Sequence, residues 1–127
     1  MSWGDYINKS LLETGKITNA AIASREGTSV WASNDGFSLG LDELKILASG
    51  FDDPTQILGS GFYLSGKKYV AIRVEGRSIY GKQGSESVYC VQTGKTIIIA
   101  CFHKTTQTGE AVKIVETLSD YLISVGF

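Results

Sequence analysis

Apolar residues recur at helical spacing near both ends of the chain and alternate with polar ones through its middle. Trp3, Ile7 and Leu11, with Tyr6 beside them, predict an N-terminal helix. Ser2 is placed to cap it, with Asp5 three residues on as the capping-box partner, and Gly15 is a stop signal. Ile17–Ser24 reads as a strand of small and branched residues. Arg25-Glu26-Gly27-Thr28 reads as a turn, and Ser29–Ser33 as a returning strand around Trp31. Asn34-Asp35-Gly36 is a strong turn signal. Leu41, Leu44, Leu47 and Ala48 mark a short amphipathic helix, ended by Gly50 and by Asp53-Pro54.

From Ser60 the pattern becomes a meander. Phe62 and Leu64 alternate with Tyr63 and Ser65, and Gly66-Lys67 turns. Tyr69–Val74 is a strand with Arg73 between apolar neighbours. Ser78–Gly81 continues, and Gly81-Lys82-Gln83-Gly84 turns again. Val88–Val91 and Thr96–Phe102 are the last strands, joined by Gln92-Thr93-Gly94-Lys95. Connections this short favour antiparallel pairing. A final helix begins near Thr108, with Ala111, Val115, Leu118, Leu122 and Val125 as its apolar stripe. The order of elements predicts a single α+β domain over residues 1–127. It is a central antiparallel sheet with helices on its faces and the two terminal helices side by side.

Composition narrows the function classes. The chain has 127 residues, 43% of them apolar and 20% charged, which suits a globular domain with a real core. A net charge of −1 gives no bulk basic field for nucleic acid. The longest apolar run, Ile97–Phe102, is far shorter than the ~20 residues of a membrane-spanning helix. Asp5 and Lys9 interrupt the N-terminal apolar stretch, so no signal peptide is read there. The two cysteines, Cys90 and Cys101, read as buried thiols of a reducing, cytoplasmic setting.

Catalytic signals are weak. Gly94-Lys95-Thr96 is the tail of a phosphate-binding loop, but Tyr89 stands where the leading glycine belongs, and a strand follows instead of a helix. Gly59-Ser60-Gly61 is a turn. Cys101 and His103 share a strand face, yet no third group orients them. One histidine and two cysteines make no metal cluster. No metal, no cofactor and no enzymatic activity are expected.

Aromatic rings at the ends point elsewhere. Ile7 and Leu11 supply sheet-facing contacts for the first helix, and Leu118, Leu122 and Val125 for the last. Tyr121 and Phe127 lie off that stripe, and Tyr6 sits about 60° round the helix from Trp3. A shallow aromatic surface suits proline-rich segments, which arrive as a preformed polyproline II helix with free carbonyls. The opening Ser2-Trp3-x-x-Tyr6, Trp31, and the ending Asp120-Tyr121-Leu122-Ile123-x-x-Gly126-Phe127 resemble those of profilins. Arg77-Ser78-Ile79-Tyr80-Gly81-Lys82-Gln83-Gly84 is similar to a turn of the short amoeboid members. Thr106-Gln107-Thr108-Gly109 is similar to the lead-in of their last helix, though without its proline. The likeness covers essentially the whole chain.

The resemblance implies the profilin arrangement, with the terminal helices on one sheet face and a short helix on the other. It implies a polyproline cleft of Trp3, Tyr6, Trp31, Leu118, Tyr121 and Phe127, with Trp31 between two terminal walls. On a separate face it implies a surface for monomeric actin at Arg73, Lys82, Val88, Gln107, Gly109, Val112 and Lys113. Phosphoinositide headgroups are implied at Arg73, Arg77 and Lys82. Proline-rich partners such as formins, promotion of nucleotide exchange on actin and a cytoskeleton-associated role follow from the same likeness. Two alternatives stay open: a scaffold or trafficking module of the same architecture without actin binding, and a small enzyme using Cys101 and His103.

Overall fold

A computed structural model describes residues 1–127. Its N-terminal helix is composite. One α-helical turn, Trp3–Asp5 (α1), leads into a π-helical stretch, Tyr6–Leu11, and a 3-10 turn, Leu12–Thr14. The capping box forms as expected: the Asp5 N–H donates to Ser2 Oγ at 3.1 Å, and the Ser2 N–H donates to Asp5 Oδ2 at 3.1 Å. Those hydrogen bonds hold the Asp5 carboxyl below its usual range.

Seven strands follow: Asn19–Ser24 (β1), Val30–Ser33 (β2), Phe62–Leu64 (β3), Lys67–Glu75 (β4), Ser78–Gln83 (β5), Glu86–Gln92 (β6) and Thr96–His103 (β7). They form one antiparallel sheet in the order β2-β1-β7-β6-β5-β4-β3. Leu41–Asp52 (α2) and Thr55–Ser60 (α3) lie between β2 and β3, and Thr108–Ser124 (α4) closes the chain.

β7 explains the apolar run at Ile97–Phe102. Ile97, Ile99 and Cys101 enter a core with Leu44, Leu47 and Ile57 of α2 and α3. Ile98, Ala100 and Phe102 enter a second core with Ile7, Leu11, Val115 and Leu122. A strand covered on both faces has no polar side to alternate with. The terminal helices thus share one face and α2 and α3 the other, as the family likeness implied.

Four local expectations are corrected. α2 does not stop at Gly50; it runs to Asp52, because Ile57 packs onto the bare Gly50 backbone, where an added Cβ would lie 2.6 Å from Ile57 Cδ1. α3 went unread because six residues are too few to show a period. Pro54 opens it instead of only ending α2, with the Asp53 carboxylate accepting the Thr55 N–H at 3.1 Å. Lys82 lies within β5 and not in a turn. Val125 is exposed, because α4 has ended at Ser124 and the chain leaves the core face there.

Candidate functional site

The capping box starts the first helix at Trp3 and so fixes where that indole stands. In the π-helical stretch the turn is wider than in an α-helix. Ile7 and Leu11, four apart, are both buried against the sheet. Tyr6 and Ser10, also four apart, both line a groove along α4.

Trp3 is the hub of the aromatic group, a place the sequence suggested for Trp31. Its ring centroid lies 4.9 Å from Trp31, 4.9 Å from Phe127 and 5.7 Å from Tyr6. Tyr6 continues the row to Tyr121 at 6.0 Å. Phe127 meets Trp3 edge-on at 89°, the geometry that ring quadrupoles favour. Tyr121 is 48% exposed, and the other four rings are half-buried. The row therefore presents ring faces and edges to solvent.

Beside Tyr6 and Tyr121 the row opens into a groove of about 580 Å³. Ile114, Thr117 and Leu118 of α4 line it, with Met1 and Ser10 on the opposite side. Leu118 is buried and forms its floor. The donors differ in availability. Trp31 Nε1 already donates to Ser29 Oγ at 3.2 Å. The Trp3 indole N–H and the Tyr6 and Tyr121 hydroxyls are the other side-chain donors of the row. The facing Tyr121 hydroxyl raises the Tyr6 phenol above its usual range.

The second set of expected residues divides. Arg73, Lys82, Gln107, Gly109 and Lys113 are exposed, and Val112 is half-buried. Arg73, Tyr80, Tyr89, Thr108 and Val112 line one small cavity of about 160 Å³, which joins β4, β5 and β6 to the start of α4. Val88 does not belong to this surface. It is fully buried in the core beneath α2 and α3, because its side chain leaves β6 on the opposite side from Tyr89. Arg77 is engaged within the fold: its guanidinium pairs with Glu116 and, at 2.8 Å, with Asp120. Tyr89 donates its hydroxyl to Glu116 at 2.7 Å, which ties the same cluster to β6. Of the three basic residues, Arg73 and Lys82 are exposed and stand outside that cluster, and Arg73 has Glu75 at 3.8 Å.

Val70 and Ile72 were missed in the sequence. They are 56% and 51% exposed on β4. Val70 pairs with Lys82, and a bulge at Ile72 lets Arg73 pair with Tyr80. Cross-strand partners share a face, so these side chains form one apolar and basic surface. The available signal was the near-continuous apolar run from Tyr69 to Val74. A strand that buries Tyr69 and Ala71 has no core use for Val70 and Ile72.

The thiol reading loses its geometry. Cys101 is buried 3.6 Å from the Tyr69 hydroxyl, and burial pushes its thiol up to about 12. His103 Nδ1 instead meets Thr105 Oγ1 at 3.2 Å. A thiolate does not form there near neutral pH.

Fold and site together define a small α+β module whose chain ends build an aromatic groove on one side of a sheet. A family model described as Profilin matches residues 1–127. The chain is 52% identical to the profilin of Schizosaccharomyces pombe and 45% identical to that of Saccharomyces cerevisiae, each over 127 residues and the full length of both chains. It superposes on a crystal structure of the S. pombe protein with a TM-score of 0.94, covering 99% of this chain and 100% of that one. Mouse profilin IIa, solved in complex with a double repeat from the FH1 domain of mDia1, shares the fold at 23% identity and a TM-score of 0.82, each chain covered in full. The chain belongs to the profilin family. No helix in it is long and apolar enough to cross a membrane.

Proposed function

We propose that this protein is a non-enzymatic, cytoplasmic regulator of actin polymerisation, and that it holds monomeric actin on one face and proline-rich segments on another. The observation that carries the reading is the continuous row of Trp31, Phe127, Trp3, Tyr6 and Tyr121 beside the α4 groove. Polyproline II segments stack their rings on such a row and present carbonyls to Trp3, Tyr6 and Tyr121. Little entropy is lost because the ligand is already stiff. A related profilin carries an FH1 repeat in its solved complex, which supports formin-type segments as the ligand class.

Val70, Ile72, Arg73, Tyr80, Lys82 and Val112, with Gln107, Gly109 and Lys113 nearby, form the proposed actin surface. It joins apolar area with basic charge, which suits an acidic partner. Two separate surfaces allow one molecule to carry actin to a proline-rich elongation factor and raise its local concentration there. Favouring an open actin cleft would speed nucleotide exchange without any chemistry by this chain. Phosphoinositide headgroups would use Arg73 and Lys82 and so compete with actin.

The test is retention on immobilised poly-L-proline, with a tryptophan-fluorescence titration by a proline decamer with and without monomeric actin. Saturable quenching or enhancement in both conditions is the expected result. Flow-through of the wild-type chain sinks the cleft, and mutual exclusion of decamer and actin sinks the two-face arrangement.

A further inference from the structure

Thr93, Gly94 and Lys95 form the turn between β6 and β7, far in sequence from Phe127 but in contact with it. The Lys95 N–H donates to the main-chain oxygen of Phe127 at 2.6 Å, and the Thr93 hydroxyl donates to the same oxygen at 2.9 Å. We propose that this turn is the positioning element of the aromatic groove: it grips the Phe127 oxygen and thereby sets the Phe127 ring edge-on to Trp3. The inference rests on the reading of that groove as a proline-peptide site.

The grip is built from both sides. Thr93 is buried, and its hydroxyl also accepts the Thr96 N–H at 3.1 Å and lies 2.5 Å from the Thr96 hydroxyl. Of the two carbonyl acceptors in reach of the Thr93 hydroxyl, the Phe127 oxygen at 2.9 Å is nearer than the Thr96 oxygen at 3.4 Å. Arg25 braces the turn from the end of β1, donating Nη1 to the Thr93 carbonyl at 2.5 Å. Gly94 leaves the space: a Cβ there would stand 3.1 Å from the Phe127 oxygen.

On the other side, α4 ends so as to deliver Phe127. Gly126 takes φ +101°, the Gly126 N–H donates to Ile123, and the Phe127 N–H donates to Leu122 at 2.8 Å. This six-to-one and five-to-two pairing is a Schellman ending, which needs glycine at the left-handed position. It fixes the Phe127 amide but leaves the direction of the ring open. The turn closes that freedom, and Lys95 Nζ stands 5.7 Å from the centre of the Phe127 ring. The Gly-Lys-Thr run, which mimics a phosphate loop, thus binds an oxygen of its own chain.

The test uses the full chain with three variants: Thr93→Val, Gly94→Ala and Thr93→Ser. Two readouts are taken, proline-decamer affinity by tryptophan fluorescence and the Trp3–Phe127 ring proximity by nuclear Overhauser effects in the free protein. Losing the Thr93 hydroxyl's hydrogen bond predicts about fivefold weaker decamer binding for Thr93→Val. The added Cβ of Gly94→Ala, 3.1 Å from the Phe127 oxygen, should displace that oxygen and weaken binding in the same direction. The Overhauser effects should weaken with it, actin affinity should stay within twofold, and Thr93→Ser should restore both. A folded Thr93→Val or Gly94→Ala that keeps its decamer affinity overturns the inference. Gly94 is exposed, so if Thr93→Val fails to fold, Gly94→Ala decides. If wild-type chain binds no decamer, the groove reading fails separately. Weaker Trp3–Phe127 Overhauser effects in Gly94→Ala then still support the grip, and unchanged ones overturn it.

Discussion

Tyr121→Ala separates binding from folding more cleanly than any other change in the groove. Tyr121 is 48% exposed, and its one ring partner is Tyr6 at 6.0 Å. Removing a single aromatic pair costs about 1 kcal/mol of stability. For a domain of this size that lowers Tm by about 4 °C. Such a loss leaves the native population essentially complete, since domains carry roughly 5–15 kcal/mol. Binding suffers far more. Tyr121 forms one wall of the groove and supplies a hydroxyl to it, and truncating a tyrosine anchor of that kind costs about 2 kcal/mol or more, which is roughly 30-fold in Kd. Decamer titration followed by Trp3 and Trp31 fluorescence reads the affinity, and circular dichroism reads Tm. Tyr121→Phe keeps the ring and removes the donor, so its Kd should rise only about fivefold. A folded Tyr121→Ala with wild-type affinity would refute the groove. A Tm fall beyond about 10 °C would show that the ring belongs to the core.

On the second surface, Ile72→Asp should weaken monomeric actin binding at least tenfold, with Lys82→Glu and Lys113→Glu weaker in the same direction. Decamer affinity should not change in any of the three, and loss of both activities together would contradict separate faces. Glu43 accepts the main-chain N–H groups of Gly40, Ser65 and Gly66, each at 2.9 Å, and so joins α2 to the β3–β4 turn. Glu43→Ala should cost about 2 kcal/mol in urea unfolding, and an unchanged midpoint would deny that joint its role. Burial raises Cys101 from 9.0 to about 12 and Tyr89 from 10.0 to about 12. The unfolded chain ionises these groups first, so their stabilisation is complete below pH ~9 and is lost as the pH rises toward ~12. Cys101→Val should flatten part of that alkaline decline, and a slope identical to wild type would refute it.

Periodicity made most of the elements legible, because a helix covering one face and a strand covering one face each leave a repeat in the sequence. Where two faces were covered at once, as in β7, the run Ile97–Phe102 still read as strand from its length and its branched residues. The failures are also physical. Six residues of α3 hold no full repeat, and Pro54 looks the same whether it ends one helix or opens the next. Val88 and Tyr89 are adjacent letters, yet the pleat sends one into the core and the other beside α4. Nothing in the run from Tyr69 to Val74 set Val70 and Ile72 apart; the sheet order, which puts β4 two strands from β6, leaves them beyond the reach of α4.

The family likeness legible in the sequence named Trp3, Tyr6, Trp31, Leu118, Tyr121 and Phe127; of the groove lining itself that covers Tyr6, Leu118 and Tyr121, while Met1, Ser10, Ile114 and Thr117 carried no signal. Tertiary structure decided their roles. Trp3 became the hub because the capping box starts the first helix at that residue and β2 brings Trp31 alongside. Arg77 left the basic surface because Glu116 and Asp120, one helical turn apart on α4, stand opposite it. Phe127 took its orientation from a turn thirty-odd residues earlier. Local patterns encode which residues avoid water, and contacts between distant segments decide what the leftover rings and charges face.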